Sequence, residues 1–191
     1  MAKKKPNPNK IPVNIDAEVL NQIKLEATND MVLRAWALIL AALSVFYDTK
    51  ASEMQDVWHV VNLAPTKIRS YQDVKRQLDT ILEKTGVQIP IHLVENTAIH
   101  TQGELTRYVR KTYRYAMSSA LAILSEPIMI AKMYPDEKVG RILQKVLDLD
   151  EEIEEERISL QDILEMLLDE YGAILEETES GVKFSLVEPE E

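Results

Sequence analysis

The chain has no cysteine. Disulfides, thiolate zinc sites and cysteine nucleophiles are therefore excluded, and the composition fits a reducing cytoplasm. Glycine is scarce, at 5 of 191 residues, and no glycine-rich phosphate loop can be drawn; the few glycines mostly end helices. The 3 histidines, His59, His92 and His100, form no His-x-x-x-His or His-Glu pair. His59, beside Trp58, reads as a partly buried packing residue. Long apolar runs are also missing. The longest, residues 35–47, lies between Arg34 and Asp48 and is too short to cross a bilayer, so no membrane partner is expected. The basic start leads into Pro6, Asn7, Pro8 and Asn9 rather than an apolar segment, so no signal peptide is expected. With no catalytic constellation, metal set or cofactor motif, the expectation is a protein that binds rather than catalyses, with catalytic, cofactor and metal residues all assigned as none.

The charge that is present is unevenly spread. Residues 136–191 hold 19 acidic and 5 basic side chains, a net of −14, so the remaining 13 acidic and 17 basic residues give the first two thirds a net of +4. The overall value of −10 therefore does not exclude a polyanionic partner for the first two thirds.

A segment of the chain occurs twice. Ser70-Tyr71-Gln72-Asp73-Val74 is echoed by Ser159-Leu160-Gln161-Asp162-Ile163, each opening a short amphipathic helix that ends at Gly86 or Gly172. Upstream, residues 35–43 align without a gap on 116–124, both as the apolar end of a long helix. This order predicts a mainly α fold of two related three-helix units, at 16–95 and 96–191, after a basic arm or short strand at 1–15. In the first unit Leu20, Ile23, Ala27, Met31, Ala35, Leu38, Ala42 and Val45 keep one helical stripe, which Asn29-Asp30 could break into two helices. Ser52 and Gln55 have capping-box spacing for a second helix. In the second unit Leu105, Val109, Tyr113, Met117 and Leu124 form the corresponding stripe, with Ile163, Leu164, Leu167 and Leu168 on the last helix. A short strand is predicted after each unit. Val87, Ile89, Ile91 and Leu93 alternate with polar residues and Pro90, and Val182, Phe184 and Leu186 alternate after Gly181, where 173–176 supplies a hairpin partner. The two terminal strands are candidates to pair with each other.

The pattern carried by residues 43–47 and 73–86, and again by 124–134 and 162–172, resembles small helical proteins of unknown function from phages and integrated elements of Gram-positive gut bacteria, duplicated here. The chain departs from them where Asp48-Thr49-Lys50-Ala51 and Ala131-Lys132-Met133-Tyr134 replace a glycine-rich junction. The resemblance implies a mobile-element origin and a host bacterial cytoplasm, and it carries no activity.

The most pointed chemical feature is Arg107, Arg110, Lys111 and Arg114, which fall at i, i+3, i+4 and i+7 and so share one face of a helix with tyrosines beside it. The stripe could lie along phosphates, or pair with the acid-rich segment 148–156. A second basic group, Lys67, Arg69, Lys75 and Arg76, surrounds the start of a helix, where anions are favoured. The acidic run itself lacks the glycine and alternating oxygen ligands of a calcium loop and reads as a solvated face. The leading function is an accessory or regulatory protein of a mobile element acting on a host or viral macromolecule. A protein partner is favoured, with nucleic acid reached through the basic helix or N-terminal arm as the alternative and a homodimer as a further arrangement. Residues 10–16 followed by 17–28 suggest a rival, a ribbon-helix-helix DNA-binding regulator in which Lys10, Pro12 and Asn14 face DNA. An enzyme with an unrecognised site is third.

Overall fold

The structure, a computed structural model, describes residues 10–47, 50–63, 68–91, 93–94, 98–178 and 181–187. It is mainly helical. In chain order come α1 (Ala17–Tyr47), α2 (Ala51–Leu63), α3 (Tyr71–Thr85), α4 (Gln102–Ile130), α5 (Asp136–Glu154) and α6 (Leu160–Tyr171), then strands β1 (Ala173–Thr178) and β2 (Gly181–Leu186). A long helix followed by two shorter ones thus occurs twice. The fold class expected from the sequence is the one observed, with a two-stranded antiparallel sheet at the C-terminal end.

Local chemistry explains the repeated short helices. Ser70 and Ser159 sit in extended backbone and accept from the backbone N–H three residues on, at 3.3 and 3.1 Å. Each satisfies one of the donors that a helix start leaves free. Both helices end at a glycine in the left-handed region, Gly86 at φ 75° and Gly172 at φ 64°, where a side chain would be strained.

The long helices form the centre. From Ala35 to Ser44 every residue of α1 is buried, and in α4 burial is nearly continuous from Ala116 to Met129. A helix buried all round is a core element rather than an amphipathic surface one. The two run side by side in the same direction: the Tyr113 hydroxyl donates to Asp30 at 2.9 Å, while Ile39 and Leu43 meet Ser125 and Ile128 further along. Among the described residues, every substantial helix–helix interface joins one half of the chain to the other. Helix α1 packs on α4, α5 and α6, α4 packs on α2 and α3, and α3 meets α5. The hairpin also crosses over, since Phe184 of β2 lies 5.6 Å from Trp58, itself 4.6 Å from Trp36. The core is single and shared.

Several expectations need correction. Helix α1 runs unbroken through Asn29-Asp30. Helix α2 starts from Lys50, whose carbonyl accepts from the Glu53 and Met54 N–H groups, so Ser52 lies inside the first turn rather than capping it. No strand follows the first unit among its described residues. Val87 and Ile89 do point inward, but the Val87 N–H donates to Thr85 Oγ1 at 3.2 Å, Pro90 has no N–H, and its carbonyl accepts from Ser118 Oγ at 2.6 Å. Side chains thus take the place of a ladder partner at two of these backbone groups. His92 lies outside the described residues. The C-terminal hairpin forms as expected, pairing Ala173 with Leu186 and Leu175 with Phe184, and among the described residues it pairs with no further strand. His59 is exposed rather than partly buried, and Leu168 is 42% exposed.

Candidate functional site

Helix α4 is positioned by a reciprocal cap. Thr101 Oγ1 accepts from the Glu104 N–H at 3.3 Å, and the Glu104 carboxylate accepts from the N–H groups of His100 and Thr101 at 2.8 and 3.0 Å. The His100 bond, followed by those of Thr101, holds the Glu104 carboxyl below its ordinary value. The same loop is tied to the start of the chain: Pro12 bridges Thr101, the Val13 N–H donates to the His100 carbonyl at 3.0 Å, and the Gln102 N–H donates to the Ile11 carbonyl at 2.9 Å.

From this anchored start, Arg107, Arg110, Lys111 and Arg114 all emerge exposed, as the spacing predicts. The fold divides them between two flanks. On one, Arg110 and Arg114 border a cleft of about 460 Å³ between α1, α4 and α5, and the opposite wall carries Asp150, Glu151 and Glu154. Arg114 pairs with Glu154 at 3.5 Å. Deeper in, Arg34 pairs with the Asp150 carboxylate and donates to the Asp150 carbonyl at 2.9 Å. Burial raises the Asp150 carboxyl above its ordinary value, and Arg34 opposes that rise. The acid-rich segment therefore faces this end of the basic stripe. On this flank the ion-pairing interpretation of the sequence holds for Arg114.

On the other flank the described residues place one carboxylate, Glu104, which is committed to the helix cap. Arg107 and Lys111 border a hollow of about 310 Å³ whose walls include Val94, Ile99 and Tyr108. Tyr108 is 6% exposed, and its hydroxyl has no hydrogen-bond partner among the described residues. Val94 also borders a second hollow, of about 330 Å³, which includes Lys24, Leu93 and the rings of Tyr71 and Tyr115. Those rings stack 6.0 Å apart at 24°, bringing the start of α3 against α4. The sequence singled out the cations here and missed Tyr108 as a buried group.

The second basic group surrounds a helix start that is already occupied from within. Lys67 lies outside the described residues. Arg69, Lys75 and Arg76 are exposed, but the start of α3 already holds a carboxylate. Asp73 accepts from the Ser70 hydroxyl at 2.7 Å and the Arg69 N–H at 3.2 Å, and Arg76 lies 3.5 Å away. The Ser70 bond and the Arg69 N–H hold the Asp73 carboxyl below its ordinary value. The helix end is thus neutralised from within.

The ribbon reading also loses its geometry. It needs a free strand edge followed by two helices, whereas residues 11–13 pair with 100–102 of the same chain and α1 is continuous. Among the described residues no group of three acidic or histidine side chains is placed to hold a metal ion, and no helix is long and apolar enough to cross a membrane. No family model, curated protein or solved structure matches the chain.

Proposed function

We propose that this is a non-enzymatic binding protein, built as two related helical units in one chain, which engages a partner protein through the Arg107–Lys111 flank of α4. The observation that carries this reading is the pair of exposed cations, neither in an ion pair among the described residues, standing beside two hollows on a capped, rigidly placed helix. The resemblance carried by residues 43–47, 73–86, 124–134 and 162–172 adds an accessory or regulatory role in a phage or integrated element, exercised in the host cytoplasm. A protein partner is favoured over nucleic acid because binding along a duplex requires a continuous cationic track. Here two of the four stripe cations border the acidic wall of Glu151 and Glu154, so phosphates following the stripe would meet carboxylates.

The test is quantitative affinity capture from bacterial cells, with and without nuclease, using the tagged full chain and an Arg107→Glu/Lys111→Glu variant whose fold is checked by circular dichroism. A partner retained after nuclease by the natural chain and lost by the variant supports the reading. A partner set removed by nuclease, or retained unchanged by the variant, overturns it.

A further inference from the structure

We propose that this chain is a two-fold dimer of intertwined helical units fused into one polypeptide, in which each half occupies the place of the other's partner subunit. The inference rests on the two related units of the function proposed above and is independent of the partner they engage.

The helix packing carries it. Helix α1 of the first half packs on α5 and α6, the short helices of the second, while α4 of the second half packs on α2 and α3, the short helices of the first. Exchanging α1, α2 and α3 for α4, α5 and α6 turns the first set of contacts into the other. Among the described residues, neither long helix has a substantial backbone contact with the short helices of its own half, and Trp36 and Trp58 meet through their rings. A linear stack of repeats would give contacts in one direction along the stack. Reciprocal contacts are what a closed two-fold arrangement requires, and short helices seated on the opposite long helix are an exchange of elements between units.

Burial follows the same exchange where the sequence does not. With residue 35 placed on 116, Ala27, Met31 and Ala35 align with Tyr108, Thr112 and Ala116, and every one of these is buried. With Ser70 placed on Ser159, Val74 and Leu78 align with Ile163 and Leu167, and these too are all buried. The parallel long helices also lie level, because Tyr113, aligned with Val32, donates to Asp30. Two parallel helices at one level, buried on matching faces, are related by rotation about an axis between them. One contact lacks its counterpart. Helix α3 meets α5 at Thr85 and Gly140, whereas α6 has no substantial contact with α2. The hairpin stands there instead: β2 packs on α2, with Phe184 5.6 Å from Trp58, and among the described residues only the second half carries a hairpin.

Two measurements on the full chain test this. The first uses the absence of cysteine, which lets pairs of introduced cysteines carry spin labels without background. Exchange of the halves turns the pair Leu25 and Gln161 into Thr106 and Gln72, all exposed positions where a label disturbs no packing. Double electron–electron resonance on Leu25→Cys/Gln161→Cys and on Thr106→Cys/Gln72→Cys should give coincident distance distributions. The same match is expected between Leu25→Cys/Gln72→Cys and Thr106→Cys/Gln161→Cys. Distributions separated by more than their widths in either comparison overturn the two-fold relation. The second measurement inserts a protease site between residues 95 and 96 and cuts the folded protein. The halves should stay together on gel filtration, and their unfolding midpoint should rise with protein concentration, as in an obligate dimer, while that of the uncut chain stays fixed. Halves that separate under native conditions overturn the intertwined arrangement. The labelled pairs need no insertion, so they decide the matter if the inserted chain fails to fold. Neither readout involves a captured partner, so failure here leaves the Arg107–Lys111 face to its own test.

Discussion

The two long helices share a buried block and differ sharply in the turns that precede it. With the offset that places residue 35 on 116, Arg107, Arg110, Lys111 and Arg114 of α4 align with Glu26, Asn29, Asp30 and Leu33 of α1, and Tyr108 aligns with Ala27. Downstream, Ala35, Leu40, Ala41 and Leu43 meet Ala116, Leu121, Ala122 and Leu124, all buried. Packing on every side explains the likeness of the blocks, because a volume change there is felt by several neighbours at once. The upstream turns have a solvent face and are free to differ. One segment carries acids and an alanine; the other carries a cationic stripe over a buried tyrosine. The candidate face lies where the two aligned segments differ.

The sharpest way to break this comparison is to separate the halves. Because every substantial helix–helix interface among the described residues runs between halves rather than within them, neither 1–95 nor 96–191 holds a helix-on-helix core of its own. Each expressed alone should show no cooperative thermal transition by circular dichroism, whereas the whole chain should melt in one step. A cooperative transition in either half alone would show that the units are independent after all. Next in size is a matched pair inside the aligned block. Leu38 is fully buried, and Leu38→Ala should cost about 2–5 kcal/mol in denaturant unfolding. Its aligned partner is Ser119, whose buried hydroxyl has no hydrogen-bond partner. Ser119→Ala should therefore cost nothing or raise stability by about 1 kcal/mol. Equal losses at the two positions would mean that the copies are packed alike.

A smaller effect tests the contact between α3 and α5. A Cβ on Gly140 would stand 3.0 Å from both the carbonyl oxygen and the Cβ of Thr85. Crowding a packed site costs about 1–3 kcal/mol, and alanine regains about 1 kcal/mol of helix propensity over glycine. Gly140→Ala should therefore lose about 1 kcal/mol net, measured by the same unfolding. A gain would show that the two helices move apart without cost.

The sequence revealed the caps and the central block, because both are written locally. Ser70 with Gly86, Ser159 with Gly172, and the unbroken apolar run before Asp48 each need only short-range rules. The buried face of the first half of α4 was not legible in this way. A stripe through Leu105, Val109 and Tyr113 is expected from apolar spacing, yet these are only half-buried, and burial follows Tyr108, Thr112 and Ala116 instead. Polarity hid that face. Thr112 is 4% exposed because its hydroxyl donates to the Tyr108 carbonyl at 2.9 Å within the helix, so it needs no water. Its spacing of four from both Tyr108 and Ala116 was the available signal. The failed strand at 87–91 has a related cause: alternation marks which side chains face inward, and it does not reveal whether the backbone has a strand to pair with.

The smallest effect sharpens the comparison through pH. Cap carboxylates occur in both halves: Asp73 in the first, and Glu104 and Asp162 in the second, all held below their ordinary values by hydrogen bonds at helix starts. A carboxyl depressed in the folded state adds stability that is present above its unfolded value and is lost as pH falls through the folded one. Asp150 has the opposite sign. Burial raises its carboxyl, so the folded state holds that proton more tightly, and its contribution declines as pH rises from the unfolded value toward the folded one. The caps should therefore weaken on acidification from about pH 5 to about pH 3 while the Asp150 contribution moves the other way. Glu104→Gln keeps an oxygen acceptor at the cap and removes the titration. It should start with slightly lower stability at neutral pH and lose less than the natural chain across the same acid range, read from unfolding midpoints at each pH. An acid loss in Glu104→Gln as large as in the natural chain would mean that the charge of Glu104, as distinct from its hydrogen bonds, contributes nothing to anchoring α4 beneath the cationic face.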